Sequence, residues 1–416
     1  MSRTLQSAKL RHAFRRIAVW GPGLLVMLAD ADAGNVVTAA QAGAQWGYRF
    51  LPLLLVLIVP LYLIQELTVR LGVYTRRGYG ALVREFFGTG WAWVSVATLG
   101  VAATGTLVTE FSAVAGIGEM VGLSRAMSLP AAALALLAVI ATGAYRRVER
   151  TALVIGLFEL AFFVVAWTAH PDWRAVAGEA ADYPLSDNAF LYLTAALIGA
   201  VFNPWMVFFQ HAAVAARRLS PTDLTAARID TAAGALFTQL LTAAVLIAAV
   251  TTLGGIAAHT SLDSVGEISQ SLVPALGTTV AHLVFGVGVL GAAMVAAIVA
   301  SLALVSGVGE VAGSRRSLEL RPQLAPWFYG FYALAIAGSA ALVWAVPDLV
   351  WLNIGAQVVN ALLLPVVLGL LLVLAGRALP QEARPRGAYK FALVSLTCAV
   401  CALGWVGALA GWLTSI

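Results

Sequence analysis

Apolar runs about 20 residues long recur along the whole chain, separated by short polar stretches rich in arginine. A helix of that length spans the hydrocarbon core of a bilayer, and no period-two alternation competes with it. The runs predict eleven membrane-spanning helices, at about 17–46, 51–72, 91–121, 127–143, 151–168, 189–216, 231–254, 277–307, 325–346, 350–375 and 391–413. Two of them carry polar interruptions. The first holds Ala29-Asp30-Ala31-Asp32-Ala33-Gly34-Asn35, and the sixth holds Asn203-Pro204. Gly34 weakens a helix, Asn35 favours turns and Pro204 removes a hydrogen bond, so breaks are predicted over 31–35 and at 203–204.

The breaks fall in the first and sixth spans, which makes units of five spans each; five is odd, so two such units insert with opposite orientation. The expectation is an inverted repeat of five plus five helices, 17–168 and 189–376, with 391–413 added and 1–16 as a leading segment. Carboxylates and amides at membrane depth must face protein or a water-filled cavity. A break there frees backbone carbonyls beside Asp32 and Asn35, which together form an oxygen-rich cation site.

Composition agrees with a membrane location. Hydrophobic residues make up 61% of the 416 and charged ones 11%, against roughly 25% charged in soluble domains. The formal charge of +5 does not point to nucleic acid, because the basic residues gather in loops. Arg3, Lys9, Arg11, Arg15 and Arg16 precede the first span, and 70–84, 146–150, 217–218, 315–321 and 377–390 hold the other clusters. All fall on one side of an eleven-span count, which puts the N-terminus in the cytoplasm and the C-terminus outside. The first span reads as retained rather than as a cleaved signal peptide. The loop 169–188, with Asp172, Glu179, Asp182 and Asp187, fits the outside. Cys398 and Cys401 read as helix-packing residues. No zinc-protease motif or nucleophile–base pair suggests an enzyme.

Gly21-Pro22-Gly23, Asp32-Ala33-Gly34-Asn35 and Gln41-Ala42-Gly43-Ala44-Gln45-Trp46-Gly47-Tyr48 resemble helix 1 of the NRAMP divalent-metal transporters, whose motif is D-P-G-N. Gln65 with Arg70-Leu71-Gly72-Val73 is similar to their helix 2. Gly199 to Trp205 is similar to the helix 6 motif A-x-x-M-P-H, and Gln357-Val358-Val359 with Pro365 to helix 10. The resemblance covers essentially the whole chain and implies an all-α, LeuT-like fold with broken helices 1 and 6, in a bacterial plasma membrane. It also shows departures. Asn203 stands where the family has methionine, Trp205 and Gln210 where it has histidines, and His211 is one residue out of register. A helix 3 Asp–Glu pair becomes Glu110 and Ala113, and residues 292–304 are nearly all apolar. These losses are similar to those of bacterial NRAMP-related magnesium transporters.

The resemblance implies a metal site made of Asp32, Asn35, Asn203 and the Ala200 carbonyl, with Gln357 completing it from helix 10. Asp30 and Glu110 are candidate carboxylates in or behind it. Asp30, Glu110 and Gln357 read equally as helix–helix hydrogen bonds, and for Glu66 and Glu159 that reading is favoured. Trp205 reads either as a gate beside the site or as a packing residue. An amide oxygen lacks the softness of a thioether, and Mg2+ keeps several waters when bound. The expected function is therefore transport of partly hydrated Mg2+, also Mn2+, as substrate, without a resident cofactor. With both family histidines lost, proton coupling is not expected. The alternatives are a proton-coupled Mn2+ transporter and a carrier of organic cations lined by Phe202, Trp205, Phe208 and Phe209. Partners are the ion and the lipid bilayer, with no obligate protein evident.

Overall fold

The computed structural model describes residues 22–142, 147, 151, 154, 160–168, 171, 173–179, 182–253, 262, 265–270, 273, 277–313 and 326–414. These residues are overwhelmingly helical. Seven helical stretches among them are long and apolar enough to cross a membrane, and Arg125–Ala141 and Tyr329–Ala345 are shorter apolar helices. Residues 152, 153 and 155–159 of the predicted span 151–168, Glu159 among them, lie outside the described residues; Ala161–Thr168 is helical.

The first helix is broken within the expected stretch 31–35, but over fewer residues. Helix α1 runs Pro22–Asp30 and α2 runs Ala33–Trp46. Only Ala31 and Asp32 lie between them, so Gly34 and Asn35 belong to the first turn of α2 rather than to the break. The cause is Asp32. It takes the extended conformation of an N-cap, and its Oδ1 accepts the Asn35 N–H at 2.7 Å, so the helix restarts at once. Helix α2 ends at Gly47, whose φ of 63° suits glycine. A 3-10 turn then leads into α3, Leu51–Thr75.

Helix α4, Tyr79–Met120, starts well before the predicted residue 91. It bends at Gly88 (φ 87°), so 79–87 form a separate short piece. Helix α5 covers Arg125–Ala141, and α6 is Ala161–Thr168. The loop 169–188 contains a further helix, α7 (Trp173–Glu179), that the apolar pattern did not reveal. Glu179 accepts the Tyr48 N–H at 2.7 Å and Asp182 pairs with Arg49 at 2.8 Å, strapping this loop to the end of α2.

The second break stands where proline placed it. Helices α8 (Asn188–Val201) and α9 (Pro204–Ala216) flank Phe202-Asn203, with Pro204 at the first helical position, where its missing N–H costs nothing. The remaining helices are α10 (Leu224–Leu253), α11 (Val265–Gln270), α12 (Thr278–Ala312), α13 (Pro326–Ala345), α14 (Leu349–Arg377) and α15 (Gly387–Thr414). Helix α10 packs on α1, α2 and α3, α12 on α4 and α1, and α14 on α8 and α4, while α15 covers α8 from outside. The broken helices are thus enclosed. Large apolar side chains such as Trp167, Leu134, Leu334 and Phe391 are exposed, as suits a surface solvated by lipid.

Two polar contacts fix the helices around the first break. Glu66, fully buried, joins Arg70 at 2.8 Å, Arg228 at 2.7 Å and the Tyr389 hydroxyl, tying α3 to α10 and α15. This is the helix-tying role favoured for it from sequence. Asp230 of α10 accepts the Gly23 N–H at 2.8 Å, serving as a cap for α1 from another helix. Asp230→Ala is expected to cost about 1–2 kcal/mol. The detergent-solubilised protein should show a lower thermal midpoint, while Asp230→Asn, which keeps an acceptor oxygen, should stay close to wild type.

Candidate functional site

The breaks in α1–α2 and α8–α9 meet in the interior, and every sequence-predicted site residue lies at or beside them. Asp30, Asp32, Asn35, Glu110, Asn203 and Gln357 are all at most 1% exposed. Asp32 Oδ1 is committed to its cap, and Asp32 Oδ2 has no hydrogen-bond partner. Asn35 reaches back across the break, its Nδ2 donating to the Asp30 carbonyl at 3.1 Å and leaving Oδ1 without a donor. Both carboxylate oxygens of Asp30 also lack a donor. Glu110, from α4, accepts the Ala33 N–H at 3.2 Å, satisfying one of the amides exposed at the start of α2. Thr109 adds a contact to its other oxygen at 3.3 Å.

From the other break, Asn203 Nδ2 donates to the Ala200 carbonyl at 3.0 Å. The expectation of free carbonyls at the breaks therefore needs correcting. The carbonyls of Asp30 and Ala200 are each covered by a nearby asparagine amide, because a buried, unpaired carbonyl is costly. Gln357 on α14 closes the site. A Cβ built on Gly34 would lie 2.0 Å from Gln357 Nε2, so the glycine's bare face is what lets this amide approach α2.

One residue of the site was not anticipated. Asn360 Nδ2 donates to Asn203 Oδ1 at 2.6 Å and to Gln357 Oε1 at 2.9 Å, joining α14 to the second break. Its spacing of three from Gln357, which puts both on one helix face, was the available signal.

Other candidates are held in packing contacts. Trp205 is fully buried and donates its Nε1–H to Thr106 at 3.1 Å, so it packs α9 on α4. Phe208 meets the Tyr79 ring edge-on at 4.6 Å, within the helix packing. His211, also buried, lies by the same tyrosine, its ring 6.2 Å from that of Tyr79. Gln210 donates to Thr231 at 3.2 Å. Cys398 and Cys401 are free thiols. Among the described residues, no three of His, Cys, Asp and Glu form a ready-made metal cluster. The donor set at the breaks is instead mixed, of carboxylates and amide oxygens. Five of these oxygens are buried without a donor: two of Asp30, one each of Asp32, Asn35 and Asn360. Such a group is the chemistry that hard cations take.

Two interrupted helices crossing at mid-depth, with polar groups at the crossing, define the LeuT-like architecture of secondary transporters. Solved structures share the fold. The Eremococcus coleocola manganese transporter, in complex with an aromatic bis-isothiourea substituted compound, aligns with a TM-score of 0.76 over 95% of this chain and 87% of its own, at 16% identity. MhsT in complex with L-phenylalanine gives 0.60 over 94% and 98%, at 15% identity. In sequence, the divalent metal cation transporter MntH of Agrobacterium fabrum is 27% identical over 344 residues, 78% of this chain and 71% of that protein. Residues 23–409 match the family described as Nramp, natural resistance-associated macrophage protein-like. The chain belongs to this family of membrane transport proteins.

Proposed function

We propose that the chain carries divalent metal ions across a bacterial plasma membrane, with Mg2+ and Mn2+ as substrates bound partly hydrated. The observation that carries this reading is the set of buried oxygens without donors around the two breaks. Asp32 Oδ2 and Asn35 Oδ1 offer ligands from the first break, and Asn203, the Ala200 carbonyl and Gln357 from the second break and α14. The hydrogen bonds that side-chain amides now donate to the Ala200 carbonyl and Asn203 Oδ1 give way to the ion. Asp30 supplies further negative charge, and Glu110 holds the start of α2. An amide where the family's motif has methionine removes the one soft ligand. The distribution of basic loops supports a cytoplasmic N-terminus and an external C-terminus.

Transport is proposed to be uncoupled from protons. His211 lies off the site, and Trp205 and Gln210 occupy the other histidine positions. The membrane potential suffices as a driving force: a divalent ion gains about 4.6 kcal/mol at 100 mV, enough for more than about a thousandfold accumulation. Liposomes containing the protein and a pH dye test this. Mg2+ uptake is expected without luminal acidification, and Cd2+ uptake is expected to be weak. Acidification in proportion to the metal would establish the other reading, a proton-coupled Mn2+ transporter; the relatives' names speak for divalent metals and manganese as substrates. A carrier of organic cations is disfavoured, since Trp205 and Phe208 are used in packing.

A further inference from the structure

We infer that Asn360 is an ion ligand in waiting: its amide holds the oxygens of Asn203 and Gln357 until a divalent cation takes them, and then turns its own oxygen to the ion. The inference rests on the proposed metal site and adds a residue to it. One NH2 group has two hydrogens, and in Asn360 both are spent, on Asn203 Oδ1 at 2.6 Å and Gln357 Oε1 at 2.9 Å. Two carbonyl-type oxygens thus converge on a single electropositive atom. That is the arrangement a cation would impose, with nitrogen standing where the positive charge belongs.

The rest of the amide distinguishes a switch from a packing device. A network built for packing satisfies all its members, since an unpaired buried polar atom is costly. Here Asn360 Oδ1 and Gln357 Nε2 are both buried with no partner, and Asn360 is 1% exposed. The terminal torsion of asparagine is broad, so half a turn exchanges Nδ2 for Oδ1 at little cost. Without an ion, three amide oxygens facing one another would repel. With one, they become three hard ligands opposite the Asp32 and Asn35 oxygens. Turning thus follows the ion's arrival. Such a site favours ions that accept several neutral oxygens over those that seek sulfur.

Titration calorimetry of the purified full-length protein with Mn2+ and with Mg2+ tests this, using Asn360→Leu, Asn360→Asp and, as a control on the site itself, Asp32→Ala. Asn360→Leu keeps the bulk and removes both donor and ligand, and its Mn2+ affinity is expected to fall at least about tenfold. Asn360→Asp cannot donate to the two oxygens but can ligate. It is expected to bind Mn2+ at least as tightly as wild type, with a steeper rise in affinity with pH as the added carboxyl loses its proton to the ion. Unchanged affinity in Asn360→Leu, or weakened affinity in both variants, would overturn the assignment. If Asn360→Asp does not fold, the leucine variant decides alone. Wild-type binding by Asp32→Ala would instead sink the metal site as a whole. Loss there, with Asn360→Leu unchanged, sinks only the role of Asn360.

Discussion

Asp32→Ala is expected to lower Mg2+ and Mn2+ uptake by proteoliposomes at least about a hundredfold, corresponding to about 2.7 kcal/mol. Asp32 does two things at once. Oδ1 caps α2 through the Asn35 N–H, and Oδ2 is a buried oxygen with no partner at the crossing of the breaks. Alanine removes both, and loss of the cap alone costs about 1 kcal/mol. Asp32→Asn separates the two effects. Its amide oxygen still caps the helix, so thermal stability should stay near wild type, while uptake should fall almost as far as in the alanine variant. Uptake equal to wild type in Asp32→Ala would remove the proposed site.

Gly199→Ala is expected to be as damaging for a different reason. A Cβ at 199 would lie 1.8 Å from the Gln357 carbonyl oxygen, 2.8 Å from its carbon and 2.9 Å from the Ala361 nitrogen. All three are backbone atoms of α14, so no rotamer relieves the clash and the helices must part. Overpacking of this kind costs about 1–3 kcal/mol where side chains can yield, and backbone contact belongs at the upper end. The separation also carries Gln357 and Asn360 away from Asn203. Loss of uptake and a lowered thermal midpoint are expected together. Gly355→Ala, on the same α14 but with nothing within 4 Å, is the control and should behave as wild type.

The two breaks differ in how far they could be read from sequence. Pro204 removes an N–H wherever it stands, so the second break is legible to within one residue: Phe202-Asn203 is open and Pro204 already begins α9. The sequence puts the first break in the right place but makes it three residues too long, because Gly34 and Asn35 read as helix breakers. The competing effect was the Asp32 cap, which restarts the helix and uses the Asn35 backbone to do so. Gly34 is needed for another reason, the approach of Gln357, and that depends on a helix over three hundred residues away. The covering of the Ala200 and Asp30 carbonyls is a local asparagine habit, predictable in kind once the break is fixed. Helix α7 and the 79–87 piece escaped because they are short, and their anchors, Glu179 on Tyr48 and Glu310 on Gly80 at 3.0 Å, are distant in sequence. Asn360 escaped because a further amide in an apolar run carries no motif of its own, and only its contact with Asn203 on the second break gives its spacing from Gln357 meaning.

Helix α1 has nine residues, which makes it a rod about 14 Å long, half the thickness of the hydrocarbon core. It is hinged at Ala31-Asp32 and pinned at its far end by Asp230. Were the Asp230 contact released, a rod of that length pivoting through some 20° would sweep its tip through roughly 5 Å, nearly one helical turn's rise. A swing so small at the joint would still open a passage wider than a water molecule at the rim, while barely disturbing the oxygens beside the pivot.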